Sequence, residues 1–280
     1  MKIINKALLL VAISSIVFSC KKNNQIEPED STNNTNTSTT NLVKIGETYI
    51  LGAKAKAIVY STKTFETGYN EVYVSLFDSV DGSPLSAGHF DVMPMMNMGT
   101  MVHSCPVENT EDTTTTNGYF KSAVVFSMPG TSSQWSLNLM FHNHKNGLEG
   151  EGTLGVNVAS SSPAKFKSVV LSLDSNKSVF ISMVQPKNPQ VGINNFEITL
   201  HQKASMMSFP SINNYSVEIV PEMPSMGHGS PNNINPVNTG NGHYVGKVNY
   251  TMTGLWYVHL NIYKNGTLIS NDQYFEMTLQ

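Results

Sequence analysis

Met98-x-x-Met101-x-His103-x-x-Pro106 and Met223-x-x-Met226-x-His228-x-x-Pro231 each set two thioethers and an imidazole within a few residues, twice in one chain. A thioether sulfur is a soft donor, so such a loop favours Cu(I) over Mg(II), Ca(II) or Mn(II). Methionine takes up no proton near neutrality and stays a ligand in acid. Cys105 follows His103 by two residues, and its thiolate is the strongest soft donor of the mature chain; Ser230 stands at its place in the second loop. Met93, Met95 and Met96 enlarge the first cluster, which is expected to hold Cu(I) more tightly. The candidate ligands are therefore Met98, Met101, His103 and Cys105, with Met223, Met226 and His228 in the second loop. The same residues have a structural reading: methionine fills irregular gaps, Pro and Gly shape a hairpin, and a loop histidine commonly hydrogen-bonds or faces water. Both readings stay open at the level of sequence.

Other groups carry less. His142 and His144 share a strand face at a spacing that can chelate a metal, His259 alternates toward solvent, and His89, His201 and His243 have no partner visible in the sequence. Gly-x-Ser-x-Gly, His-Glu-x-x-His, phosphate-loop and Cys-x-x-Cys motifs are missing. Glu149 and Glu151 fall in a Gly-rich turn, and Cys105 as a nucleophile would need a base and an orienting group. No catalytic residue is assigned, and the chain is not expected to be an enzyme.

The elements that position the loops come from an internal repeat at 124 to 125 residues. Gly68-Tyr69-Asn70 aligns with Gly192-Ile193-Asn194, and each precedes an alternating run: Val72, Val74, Leu76 and Phe196, Ile198, Leu200. The Met/His loops follow in register, then Asn117-Gly118-x-Phe120 with Asn241-Gly242-x-Tyr244, and Met128-x-Gly130 with Met252-x-Gly254. Trp135-Leu137-Leu139-Phe141 matches Trp256-Val258-Leu260-Ile262, each strand followed by Lys-Asn-Gly at 145–147 and 264–266. Every periodic segment has a period of two, bounded by Gly, Asn, Pro and Ser, so strands are expected and helices few. The fold class is all-β: two tandem immunoglobulin-like β-sandwiches, residues 42–160 and 161–280, each with one tryptophan in its core. Leu154, Val156 and Val158 are expected to form the last strand of the first copy, and Met128 and Met252 to lie on strands facing the core.

The order Met223-Pro224-Ser225-Met226-Gly227-His228, Gly242-His243-Tyr244 and Met252-Thr253-Gly254-Leu255-Trp256 resembles the YtkA-like domain, which is related to the FixH proteins. The first copy departs from it: its Pro is Pro94, Met95 and Met96 are added, and Gly118-Tyr119-Phe120 and Met128-Pro129-Gly130-Thr131 surround a longer loop. The resemblance implies an exported or membrane-bound immunoglobulin-like domain linked to copper handling, and no catalysed reaction.

At the start of the chain, Lys2 and Lys6 precede an apolar run from Ala7 to Phe18, too short to span a bilayer. Val17-Phe18-Ser19-Cys20 resembles the lipobox of bacterial lipoproteins, which implies a signal over 1–19 and a diacylglycerol anchor on Cys20. Residues 20–41 are Asn-, Thr- and Ser-rich and read as a tether that buries too little to fold. The 280 residues hold 17 Lys and no Arg against 20 acidic groups, a net charge of −3. Lacking the residue that forks onto phosphates and guanine edges, the chain is not expected to bind nucleic acid. The expected protein is attached to a membrane through Cys20, at the outer membrane facing periplasm or cell surface. It binds Cu(I) or delivers it, with a copper donor or acceptor protein in the envelope as partner. The alternative is a metal-free scaffold or adhesion module that holds a protein or glycan.

Overall fold

The period-two runs become nineteen strands and no helix in the computed structural model, which describes residues 42–280. The signal, Cys20 and the tether lie outside the described residues. In the first half the strands are β1 (Val43–Ile50), β2 (Ala55–Ser61), β3 (Gly68–Asp78), β4 (Pro84–Leu85), β5 (Gly88–Asn97), β6 (Val102–His103), β7 (Val107–Asn109), β8 (Phe120–Phe126), β9 (Trp135–Asn143) and β10 (Leu148–Gly155). The second half runs β11 (Phe166–Leu171), β12 (Lys177–Gln185), β13 (Gly192–Gln202), β14 (Tyr215–Met223), β15 (His228–Gly229), β16 (Ile234–Gly240), β17 (His243–Tyr250), β18 (Gly254–Lys264) and β19 (Thr267–Leu279).

One sandwich pairs the sheet β1-β2-β3-β8-β7, with β4 on β3, against β10-β9-β5-β6; the other pairs β11-β12-β13-β17-β16 against β15-β14-β18-β19. Taking β2, β3, β5, β7, β8, β9 and β10 as A to G gives the order ABED against CFG, and β12, β13, β14, β16, β17, β18 and β19 repeat it. That is the immunoglobulin strand order, with an extra strand before A and a two-residue strand beside C in each copy. All the pairings named are antiparallel, so each strand turns alternate residues inward. Val72, Val74 and Leu76 enter one core and Phe196, Ile198 and Leu200 the other.

Trp135 and Trp256 are both fully buried. Their indole N–H groups donate to the carbonyls of Met128 and Met252, each at 3.1 Å. That bond explains one departure from expectation: Met128 and Met252 sit in bends before β9 and β18, where their carbonyls turn toward the indole. Met252 is left 36% exposed and Met128 packs only at the edge of its core. A second departure is β10, which begins at Leu148 and takes in Glu149 and Glu151 instead of leaving them in a turn. Its glycines permit this. A Cβ at Gly150 would stand 2.7 Å from the Gly52 Cα, and one at Gly152 2.5 Å from the Tyr49 carbonyl, so β10 lies against the β1–β2 hairpin only without side chains there. Val156 and Val158 follow β10 as buried residues, Val158 bridging to Gly130.

Candidate functional site

Each Met/His loop grows from a short extension of the C strand. Met96 on β5 pairs with His103 on β6, and Met223 on β14 pairs with His228 on β15. The structural counterpart of Met223 is therefore Met96, not Met98 as the sequence register suggests. Met96 and Met223 are both core residues, 3% and 2% exposed, with Cε against Gly130 and Gly254 respectively. Six residues separate Met96 from His103 and four separate Met223 from His228, so the first loop has two more to spend. It closes through the Met98 N–H onto the Met101 carbonyl at 2.8 Å, with Gly99 at φ +85°.

The two histidines are built alike. The Nδ1 of His103 lies 2.8 Å from the Ser104 carbonyl, and that of His228 lies 2.9 Å from the Gly229 carbonyl. A carbonyl only accepts, so Nδ1 is the donor, and in the neutral ring the lone pair falls on Nε2. Each ring stands edge-on to its tryptophan, at 5.7 Å from Trp135 and 5.9 Å from Trp256. Their surroundings differ. His103 is 7% exposed and its buried Nε2 has no hydrogen-bond partner.

His103 lines a cavity of about 280 Å³ together with Met98, Met101, Met128 and Met206. Phe180 and Phe209, stacked at 5.5 Å, form an apolar wall, and Lys203 stands exposed at the rim. The cavity lies between the sandwiches: Met206 belongs to the β13–β14 connection, and its carbonyl accepts from the Ser104 N–H at 2.8 Å. Met98, Met101 and His103 line one cavity, and Met128 and Met206 line it with them. Sequence reasoning missed Met206 because the equivalent β3–β5 connection of the first copy, residues 79–87, holds no methionine. Adjacent Met206 and Met207 in a polar segment were the available signal.

Three expectations change. Cys105 is 1% exposed inside the first core and does not line the cavity. Residues 104–106 cross from the sheet of β6 to that of β7, which breaks the alternation and turns the thiol inward. Burial pushes its pKa well up, and no neighbouring cation favours a thiolate. Met93 and Met95 lie on the outer face of β5, away from the cavity. In the second loop Met223 is committed to the core while Met226 is 60% exposed, so its three candidates do not converge.

Of the remaining histidines, His243 and His259 find carboxylate partners, while the buried Nδ1 of His201 has no hydrogen-bond partner. His259 lies on the outer face of β18, opposite in alternation to Trp256 and Val258, with its Nε2 2.9 Å from Glu222. His201 is buried, and burial pulls its pKa down to about 4. His243 sits between Glu197 (Nδ1 to Oε1, 2.7 Å) and Glu108 of the first sandwich (Nε2 to Oε1, 3.0 Å). Burial opposes its charge, but the two carboxylates prevail and hold its pKa at about 9. His89, His142 and His144 form an exposed group on the outer face of the first sandwich.

Among solved structures the chain is similar to FdeC, an Escherichia coli adhesin, at 15% identity over 83% of this chain and 66% of that one, TM-score 0.27. It is likewise similar to Yersinia pseudotuberculosis InvD, at 11% identity over 78% of this chain and 54% of that one, TM-score 0.27. Clostridium thermocellum CbhA fibronectin(III)-like modules match at 12% identity over 78% and 89%, TM-score 0.23. The chain spans less than two thirds of the length of FdeC and of InvD. The fold assignment rests on the strand order above and not on these likenesses. No curated protein matches the chain. Residues 175–261, within the second sandwich, match the model of the YtkA-like family.

Proposed function

We propose that this chain is a lipid-anchored envelope protein whose two sandwiches enclose a soft-metal site for Cu(I) at Met98, Met101, His103, Met128 and Met206. The observation that carries the reading is the cavity between the sandwiches, where His103, whose buried Nε2 has no hydrogen-bond partner, stands with four methionines in the lining. The residues fit the ion. Thioethers and a neutral imidazole satisfy a soft monovalent cation without deprotonation, the Ser104 carbonyl orients the imidazole from behind, and Phe180 and Phe209 supply an apolar wall. Cu(I) would be the cargo passed on to a partner protein; the exposed Met98 and Met101, 49% and 48% accessible, form the side open to such a partner. The second loop does not fit the ion in the same way, because Met223 is spent on the core.

The test is copper retention through a desalting column under reducing conditions by the purified chain and by its Met98→Leu/Met101→Leu variant. Retention of one copper by the first and none by the second is expected. Retention by both, or by neither in folded protein, would overturn the reading.

A second reading, an envelope scaffold or adhesion module, is favoured by the joint between the sandwiches. Besides the Glu108–His243–Glu197 bridge, Lys165 reaches Glu66 at 3.0 Å and Lys187 reaches Glu71 at 2.5 Å. A tandem pair braced in this way can hold a protein or glycan at its edges without any metal. Copper-independent binding to cell-surface material, unchanged in the Met98→Leu/Met101→Leu variant, would support it.

A further inference from the structure

We propose that His89, His142 and His144 form a separate site for a borderline divalent cation, zinc being the type, on the outer face of the first sandwich. His89 on β5 and His142 on β9 are directly opposed cross-strand partners, their rings stacked at 5.9 Å. His144 follows in the turn after β9, with ring centroids 4.9 Å from His89 and 5.3 Å from His142. One nitrogen from each ring lies within 4.8 Å of the others, and all three side chains are exposed. Tetrahedral zinc with Zn–N bonds of about 2.0–2.1 Å holds its ligand atoms about 3.4 Å apart. Small rotations of three unhindered rings close that difference. Neutral imidazoles suit Zn(II), Cu(II) or Ni(II), and without a sulfur donor they do not select Cu(I).

The backbone beneath is fixed. Asn143 is fully buried, its side-chain amide donates to the Ala53 carbonyl at 3.1 Å, and its Oδ1 accepts the Lys145 N–H at 2.9 Å. The Lys145 ammonium is drawn to Asp78 and Asp81 at 2.7 and 2.8 Å, which neutralises the cation closest in sequence. Glu149, cross-strand partner of His142, and Asp91 line the cleft that His89 and His142 share, adding negative charge beside the rings.

The fold does not need these imidazoles. Strands β14 and β18 form the same pair in the second sandwich, with Ser216 opposite Tyr263 where His89 faces His142. Asn265 stands where the first loop has His144, and the loops differ in length: the β9–β10 loop holds residues 144–147, whereas β18 and β19 join through Asn265 and Gly266 alone. Three imidazoles converge only where this loop is two residues longer.

The experiment titrates the full chain with Zn(II) against a chromophoric chelator, without copper. The partner variants are His89→Ser/His142→Tyr, which installs what the second sandwich carries, and His144→Asn. The expected result is one Zn(II) per wild-type chain, weakened at least tenfold in His144→Asn and lost in the double variant, with the melting temperature without metal unchanged. Met98→Leu/Met101→Leu should bind zinc as wild type does, which separates this site from the Met/His cavity. Unchanged zinc affinity in the double variant, or no zinc held by the wild-type chain, would overturn the proposal.

Discussion

His243 of the second sandwich presents its Nε2 to the Oε1 of Glu108 in the first, 3.0 Å away, while its Nδ1 faces Glu197 at 2.7 Å. Carboxylates only accept, so both contacts are made by the imidazolium, which donates at both nitrogens. The Tyr69 hydroxyl donates to the other oxygen of Glu108 at 3.0 Å, and its ring stands edge-on to the imidazole at 5.7 Å.

The pH dependence follows in sign. The folded pKa of about 9 lies above the ordinary value of 6.5, so the bridge stabilises fully below about pH 6.5 and fades as pH rises through about 9. Its contribution is on the order of 1–3 kcal/mol. Wild type should melt higher than His243→Asn at pH 6, and the gap should narrow by pH 10. A gap independent of pH would show that the imidazolium contributes no charge at the joint.

Each tryptophan anchors its own core. Trp256→Ala empties a fully buried site and should cost roughly 3–5 kcal/mol. Urea denaturation with far-ultraviolet circular dichroism measures it; an unchanged midpoint would contradict the core assignment.

Cys105 should behave as a packing residue. In native protein the peptide that contains it should resist a water-soluble thiol reagent and label only after unfolding, as followed by mass spectrometry. Cys105→Ser should lower stability by about 1–3 kcal/mol, since it buries a hydroxyl, and leave Cu(I) affinity within about twofold. A tenfold loss of copper affinity would return the thiol to the site.

The anchor proposal has its own test. Cys20→Ser should move the protein from the membrane fraction to the soluble fraction or leave the precursor uncleaved. A variant still processed and still membrane-bound would place the anchor elsewhere.

The strands were legible because alternation has one cause, a sheet with one face buried, and Val72, Val74 and Leu76 or Phe196, Ile198 and Leu200 obey it. The expectation of two sandwiches followed from duplication, since each half had to close its own core. What misled was the assumption of constant spacing. Matching Met98 with Met223 maximised identical letters, but backbone pairing sets Met96 against Met223, because the first loop holds two extra residues. Lys145 and Lys264 fail for the same reason, the first lying in a turn and the second at a strand end. Cys105 was misread because alternation holds within a strand and not along a segment that changes sheets. The place of Met206 in the cavity and the approach of His89 to His142 were not legible from spacing, being set by a connection and by cross-strand register.

The central claim, a Cu(I) site in the cavity between the sandwiches, is tested most directly by Cu(I) competition against a chromophoric chelator, using the wild-type chain, Met101→Leu, Met206→Leu and Met226→Leu. The account predicts one tightly held copper per wild-type chain, at least tenfold weaker binding in Met101→Leu and Met206→Leu, and no change in Met226→Leu. Equal affinity in all four proteins, or no copper bound by folded wild type, would contradict it.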